Sequence, residues 1–172
     1  MTRPHAMRTY LFLGSMAVFL LDQATKWAIV AAIPLHDSIQ IIPRFFRLTR
    51  VENPGAAFGI FSENPSEWTA SLLILFSLAA LAVVSRLLWR NSHTLTALGI
   101  ALALILGGAL GNLWDRLVDG HVVDYLDFYL GNYHWPAFNV ADSAIVVGAL
   151  ILVLEILFSK SASQDKAIPD GS

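Results

Sequence analysis

The stretch "FNVADSAIVVGALILVLEIL", residues 138–157, is apolar enough and long enough to cross a membrane, yet it carries Asp142 close to its start. About twenty such residues in a helix span ~30 Å of hydrocarbon. An ionised carboxylate in that medium costs roughly 2.5–3.5 kcal/mol on insertion scales. No basic residue stands three or four positions from Asp142, so no partner for it lies on its own helix face. Either another segment offsets the acid, or the acid is useful where it stands.

The rest of the chain is of the same kind. Its 172 residues are 56% hydrophobic and 14% charged, with a mean hydropathy of +0.60, whereas a soluble domain carries about 25% charged residues. This composition predicts an integral membrane protein, with a single domain over residues 1–160. Apolar stretches at about 10–33, 68–89, 95–115 and 137–158 predict four transmembrane helices. The first follows Arg3 and Arg8 as a signal peptide would, but it continues through Asp22 and Lys26 to Ile33 and reads as a retained helix. A net charge of −2 with no basic run argues against nucleic acid as a partner. The absence of cysteine excludes disulfides, thiolate metal sites and cysteine nucleophiles. An even number of spans puts both termini on one side. That side holds Arg3, Arg8, Arg86, Arg90, Lys160 and Lys166 against Arg44, Arg47, Arg50 and Arg116 on the other, which favours cytoplasmic termini.

Between the first two spans, "IQIIPRFFRLTRVEN" (39–53) alternates in part and is rich in strand-forming residues. It predicts a small extracytoplasmic β-element at about 36–62, so the expected fold is an all-α membrane protein with that element between helices 1 and 2. The link 116–136 is polar and aromatic, with Tyr125, Phe128, Tyr129, Tyr133 and Trp135 suited to a membrane-interface belt. Residues 161–172 read as a disordered cytoplasmic tail.

With this topology the polar residues of the spans gather in one leaflet. Asp142 lies about 7 Å into the fourth span and Lys26 about 10 Å below the end of the first, at 1.5 Å per residue. Asn112 and Arg116 occupy the last turns of the third span, and Asp124 follows in the outer link. Each has a plain structural reading as well. Asp22 and Lys26 can neutralise each other on one helix face, Arg116 can snorkel to phosphates, and Asn139 can cap the fourth helix. Gly107 and Gly111 form a small-xxx-small pair for close helix packing. His121 and His134 lack metal-ligand spacing, and Asp115, Asp119 and Asp127 read as solvated loop acids. Two carboxylates brought together share a proton, giving one acid and one base at the same pH. Asp124 is a candidate partner for Asp142, with Asp115, Asp119 and Asp127 as competitors.

Five motifs carry a resemblance to a known family: "DQATK" (22–26), "NPGAAFG" (53–59), "GGALGNLWDR" (107–116), "GHVVDY" (120–125) and "FNVADS" (138–143). In order and spacing, over about residues 8–160, the chain resembles the bacterial lipoprotein signal peptidases, or signal peptidase II. Pro54 stands where the family more often has Thr. The resemblance implies an aspartic endopeptidase of the bacterial inner membrane, with its active site on the periplasmic side and no metal or other cofactor. It implies a diacylglyceryl-modified prolipoprotein as substrate, cut before the lipidated cysteine, with membrane lipids and a globomycin-type inhibitor as further partners. The catalytic pair falls on Asp124 and Asp142. Asp22, Lys26, Asn53, Gly108, Asn112, Arg116, Asn139 and Ala141 match supporting or substrate-binding positions. The β-element then resembles the family's cradle.

Two other readings predict different features. A proton-coupled transporter using Asp142 and Asp22/Lys26 as a relay needs polar groups through the whole membrane depth. A serine–lysine peptidase needs Lys26 beside a serine, for which Ser143 is the candidate.

Overall fold

A computed structural model of the chain describes residues 4–55, 67–91 and 95–165. The last four residues of "NPGAAFG", the far end of the expected β-element and residues 166–172 of the expected tail lie outside them. Four long helices, α1 (Pro4–Ala32), α2 (Glu67–Asn91), α3 (Ala97–Val118) and α4 (Val140–Asp165), are joined by four short strands, β1 (Ser38–Ile42), β2 (Phe46–Asn53), β3 (Val122–Leu130) and β4 (Tyr133–His134). Three segments among the described residues are long and apolar enough to cross a membrane: Ala70–Asn91, Ala97–Val118 and Val140–Phe158. The remaining helix, α1, is as long but carries Asp22, Gln23 and Lys26.

The third helix is the hub. It starts where the Thr96 hydroxyl accepts the Gly99 N–H at 3.0 Å and stops where Gly120 takes a φ of 75° just past the Asp119 cap. Of the α3 span 56% is buried inside the protein, against 11% for α2 and for α4, and α3 packs on all three other helices. In lipid the driving force for such packing is close fit rather than removal of apolar surface from water. Glycines provide the fit. A Cβ at Gly107 would run into the Ser15 carbonyl and Val18 of α1, and one at Gly108 into the Ala141 carbonyl of α4. Gly111 faces the Asp22 carboxylate in the same way, so the Gly107/Gly111 pair seats α1 while Gly108 seats α4. Leu11, Leu81, Leu88, Leu102, Leu106 and Leu113 fill the space between α1, α2 and α3. The outer faces of α2 and α4 expose Leu72, Leu75, Phe76, Val146, Leu150 and Val153 among others. An apolar surface of that extent belongs against lipid.

The strands form one antiparallel sheet in the order β1-β2-β3-β4. Here the structure corrects the sequence reading. The β-element is not confined to the link between the first two helices, because the α3–α4 link supplies β3 and β4. In "VVDYLDFYL" two carboxylates and three aromatics interrupt the apolar alternation, which hid a strand whose partner is 69 residues or more upstream. β2 and β3 pair Phe46 with Phe128, Arg47 with Asp127 and Val51 with Asp124, with an irregularity between Leu48 and Val51. Ile29 and Ile33 at the end of α1 pack with Val123 and Tyr125. The Tyr125 hydroxyl donates to Thr25 Oγ1 at 2.8 Å, so the sheet is fastened to the same end of the bundle as Asp22 and Lys26.

Candidate active site

Asn139 and Asp142 open α4 as a reciprocal cap. The Asp142 N–H donates to Asn139 Oδ1 at 2.9 Å, and the Asn139 N–H donates to Asp142 Oδ2 at 3.2 Å, satisfying two backbone donors that the first turn leaves free. With its oxygen thus engaged, the Asn139 amide has only its NH2 to offer elsewhere. That group donates to Asp124 Oδ1 at 2.8 Å and also reaches Asn112 Oδ1 and the Val123 carbonyl, both at 3.3 Å. Asn139 is therefore both the cap and the bridge between Asp124 and Asp142.

Asp124 comes from the middle of β3 and is buried. Its other oxygen accepts the Asn53 Nδ2 at 3.0 Å, and Asn53 is itself oriented by accepting the Gly55 N–H at 2.9 Å. Burial pushes the Asp124 carboxyl up from 3.8 to about 7. The nearby Asp142 carboxylate pushes the same way, against the hydrogen bond from Asn53. Asp142 is only partly buried, and its Oδ1 accepts Asn112 Nδ2 at 2.7 Å.

Below this pair lies a buried charge cluster. Lys26 Nζ contacts Asp22 Oδ2 at 2.7 Å, Asp115 Oδ2 at 2.5 Å and Asn112 Oδ1 at 3.0 Å. Because Lys26 can only donate, it fixes Asn112 with the oxygen toward itself and the NH2 toward Asp142. Asp22 Oδ1 accepts the Ala141 N–H at 2.9 Å, another free donor of the α4 start, in a backbone approach that Gly108 makes possible. Arg116 donates to the Asn112 carbonyl at 3.0 Å, with Asp142, Asp124 and Asp115 as its nearby charges.

All ten residues singled out in the sequence thus meet at the sheet end of the bundle. Two others belong with them and were read differently or not at all. Asp115 is not a solvated loop acid: it is buried in α3 on Lys26, and Gln23 donates to its Oδ1 at 2.7 Å. Its place three residues after Asn112 on one helix face was the available signal. Gln23 gave none beyond its neighbour Asp22. Asp127 is also buried, on Arg47 and His134; only Asp119 is exposed. His121 stands 3.4 Å from Glu52. Lys26 and Ser143 are not brought together, since the Ser143 hydroxyl turns back onto the Asn139 carbonyl at 2.9 Å.

Above Asp124 and Asp142 opens a pocket of about 540 Å³. Asn53 and the two carboxylates line one side, Trp135 to Phe138 another, and Val146 and Val147 of α4 continue it along the lipid-facing surface. The site sets two carboxyl groups, one buried and one partly buried, beside an extended apolar segment.

The profile of the Signal peptidase (SPase) II family matches residues 15–158. A protein named lipoprotein signal peptidase from Desulforapulum autotrophicum is 45% identical over 150 residues, covering 87% of this chain and 93% of its own. One of the same name from Solibacter usitatus is 43% identical over 143 residues, covering 83% and 87%. A solved structure described as a bacterial membrane enzyme superposes with a TM-score of 0.79 at 28% identity, over 95% of this chain and 94% of that one.

Proposed function

Since the chain belongs to the signal peptidase II family, we propose that it is a membrane aspartic endopeptidase that cuts diacylglyceryl-modified prolipoproteins just before the lipidated cysteine. The observation that carries this reading is the single Asn139 side chain and cap bridging Asp124 and Asp142 at the floor of a pocket with an apolar, lipid-facing wall. In this reading α1 is a fourth span, its Asp22, Gln23 and Lys26 turned to α3 and away from lipid. Both termini lie in the cytoplasm, and the sheet rests on the periplasmic surface of the inner membrane. Globomycin-type inhibitors occupy the same pocket, among the surrounding membrane lipids.

The chemistry follows from the two environments. Asp142, whose oxygens accept N–H donors from Asn112 and Asn139, acts as the base and takes a proton from the water as the water oxygen attacks the scissile carbonyl. Asp124 gives its proton to the carbonyl oxygen, leaving a neutral tetrahedral diol. Asp142 then returns its proton to the departing amine, one hydroxyl proton goes back to Asp124, and the C–N bond breaks. The diacylglyceryl chains hold the peptide at the depth of the carboxyl pair, so lipid supplies orientation that an enzyme in water must build from protein.

The test is purified protein with a diacylglyceryl prolipoprotein and with its unlipidated precursor. The lipidated form is expected to be cut more than about 100-fold faster, the scale of correct positioning. Equal rates in detergent would remove the lipid argument, and no cleavage of either would remove the activity.

The pH dependence has a definite sign. Asp124 keeps its proton up to about 7, whereas an ordinary aspartate is ionised above 3.8. The neutral form is favoured by the fold, so this group's contribution to stability is complete at low pH and is lost as pH rises across that window. Cleavage is expected to decline above about pH 7 as the acid is lost, and a rate that climbs steadily through pH 8 would reverse the assignment of acid and base.

A further inference from the structure

One polar row crosses the sheet on a single face. Gln40 stands opposite Arg47, Arg47 opposite Asp127, and Tyr129 opposite His134, while Asp127 and Tyr129 share a face of β3 because side chains alternate along a strand. Arg47 Nε donates to Asp127 Oδ2 at 2.6 Å, and His134 Nδ1 lies 3.0 and 3.2 Å from the two Asp127 oxygens. The His134 ring stacks on Tyr129 with centroids 4.8 Å apart, and the Tyr129 hydroxyl donates to Gln40 Oε1 at 2.7 Å. Asp127 is only 4% exposed, so its charge needs partners, and it has one from β2 and one from β4.

What this row holds is the wall of the pocket. His134 immediately precedes Trp135, and the segment 135–138 is tied back to β3 at both ends. The Trp135 N–H donates to the Phe128 carbonyl at 2.9 Å, and the Phe138 carbonyl accepts from Tyr125 and Leu126 at 3.0 and 2.8 Å. Phe138 is further fixed by stacking on Phe128. The Phe138 end is thus held by paired backbone bonds and a half-buried, stacked ring. The Trp135 end has one backbone bond and an indole that is itself exposed. Its stiffness depends on the residue before it.

We propose that Arg47, Asp127 and His134 form a latch that positions the wall 135–138 over Asp124 and Asp142, so that they control how substrate is held and not how its bond is broken. The proposal rests on the peptidase reading for its kinetic consequence, while its structural content stands apart from it. These are positioning residues, since none of the three lines the pocket.

The experiment combines amide hydrogen exchange and steady-state cleavage of a diacylglyceryl prolipoprotein, on the full chain in detergent. Asp127→Ala and His134→Ala are expected to speed exchange about tenfold or more at residues 128–138, with α1 and α3 unchanged. They should raise KM about tenfold while kcat stays within about twofold, the pattern of lost binding. His134→Asn, whose amide can donate to Asp127 as the imidazole does, should restore both readouts most of the way. His134 is half-exposed, so its variants remain informative if Asp127→Ala fails to fold. Unchanged exchange would overturn the latch, and so would a loss confined to kcat. If the wild-type protein cuts no prolipoprotein, the peptidase reading falls and the exchange result alone decides the latch.

Discussion

Asparagine at Asp124 or at Asp142 is expected to abolish cleavage, lowering kcat by about 10⁴-fold, the upper range for losing a general acid or base. An amide has nearly the shape of the carboxyl group but can neither take the proton of the attacking water nor supply one to the carbonyl oxygen. The fold should survive both changes. Asp142→Asn keeps an oxygen to accept from Asn112 or from the Asn139 N–H. Asp124→Asn sets an NH2 against one of two amide donors, Asn53 or Asn139, a mismatch worth about 1–3 kcal/mol. Removing a group that is costly to ionise when buried offsets part of it. Thermal unfolding and cleavage measured on the same preparations separate these effects. Folded protein with undiminished activity in either variant would remove that residue from the chemistry.

The second large effect is expected at Lys26. Its ammonium is buried between Asp22 and Asp115, so Lys26→Ala leaves two carboxylates facing each other without a counter-charge, a loss of about 3–5 kcal/mol for a buried pair. Cleavage should fall further than folding alone explains, because Asn112 loses the donor that keeps its NH2 on Asp142. Asp22→Asn in the same chain removes one surplus charge and retains an oxygen for the Ala141 N–H. The double variant is therefore expected to regain folded protein and some cleavage. A double-mutant cycle over stability and rate measures the coupling. A well-folded double variant with no recovered cleavage would make Lys26 a participant in the reaction and return the serine–lysine reading to consideration.

How much of this could be read from the chain depends on how local each signal is. Asp142 announced itself, since an acid without a cation on its own helix face in an apolar run is costly and visible in a few residues. Asn112, Arg116 and Lys26 were visible as polar residues within or at the ends of apolar runs. The pairing of Asp124 with Asp142 was not. Spacing left Asp115, Asp119 and Asp127 as competitors, and the motif resemblance made the choice. Asp115 and Asp127 were misjudged because their burial depends on partners 89 and 80 positions away in sequence, on α1 and β2. The third strand escaped for a similar reason. Its alternation becomes regular only when Asp124 and Asp127 are seen to have partners on the neighbouring strand and helix. Short-range patterns reported helices well, and groups whose neighbours are set by tertiary packing were read as exposed.

The bond from the Ala141 N–H to Asp22 joins residues 119 apart, the start of the last helix to the middle of the first. Synthesis runs from the N-terminus, so in the proposed four-span topology α1 enters the bilayer with Asp22 matched only by Lys26, one turn away. Asn112 and Asp115 reach that lysine once α3 has been made. Asp142 and the cap that carries it arrive last. A nascent chain therefore has a partner for Asp22 from the first helix onward but lacks the second member of the Asp124 and Asp142 pair until the final helix is made. In the proposed peptidase reading, cleavage is thereby reserved for chains whose last helix is in place.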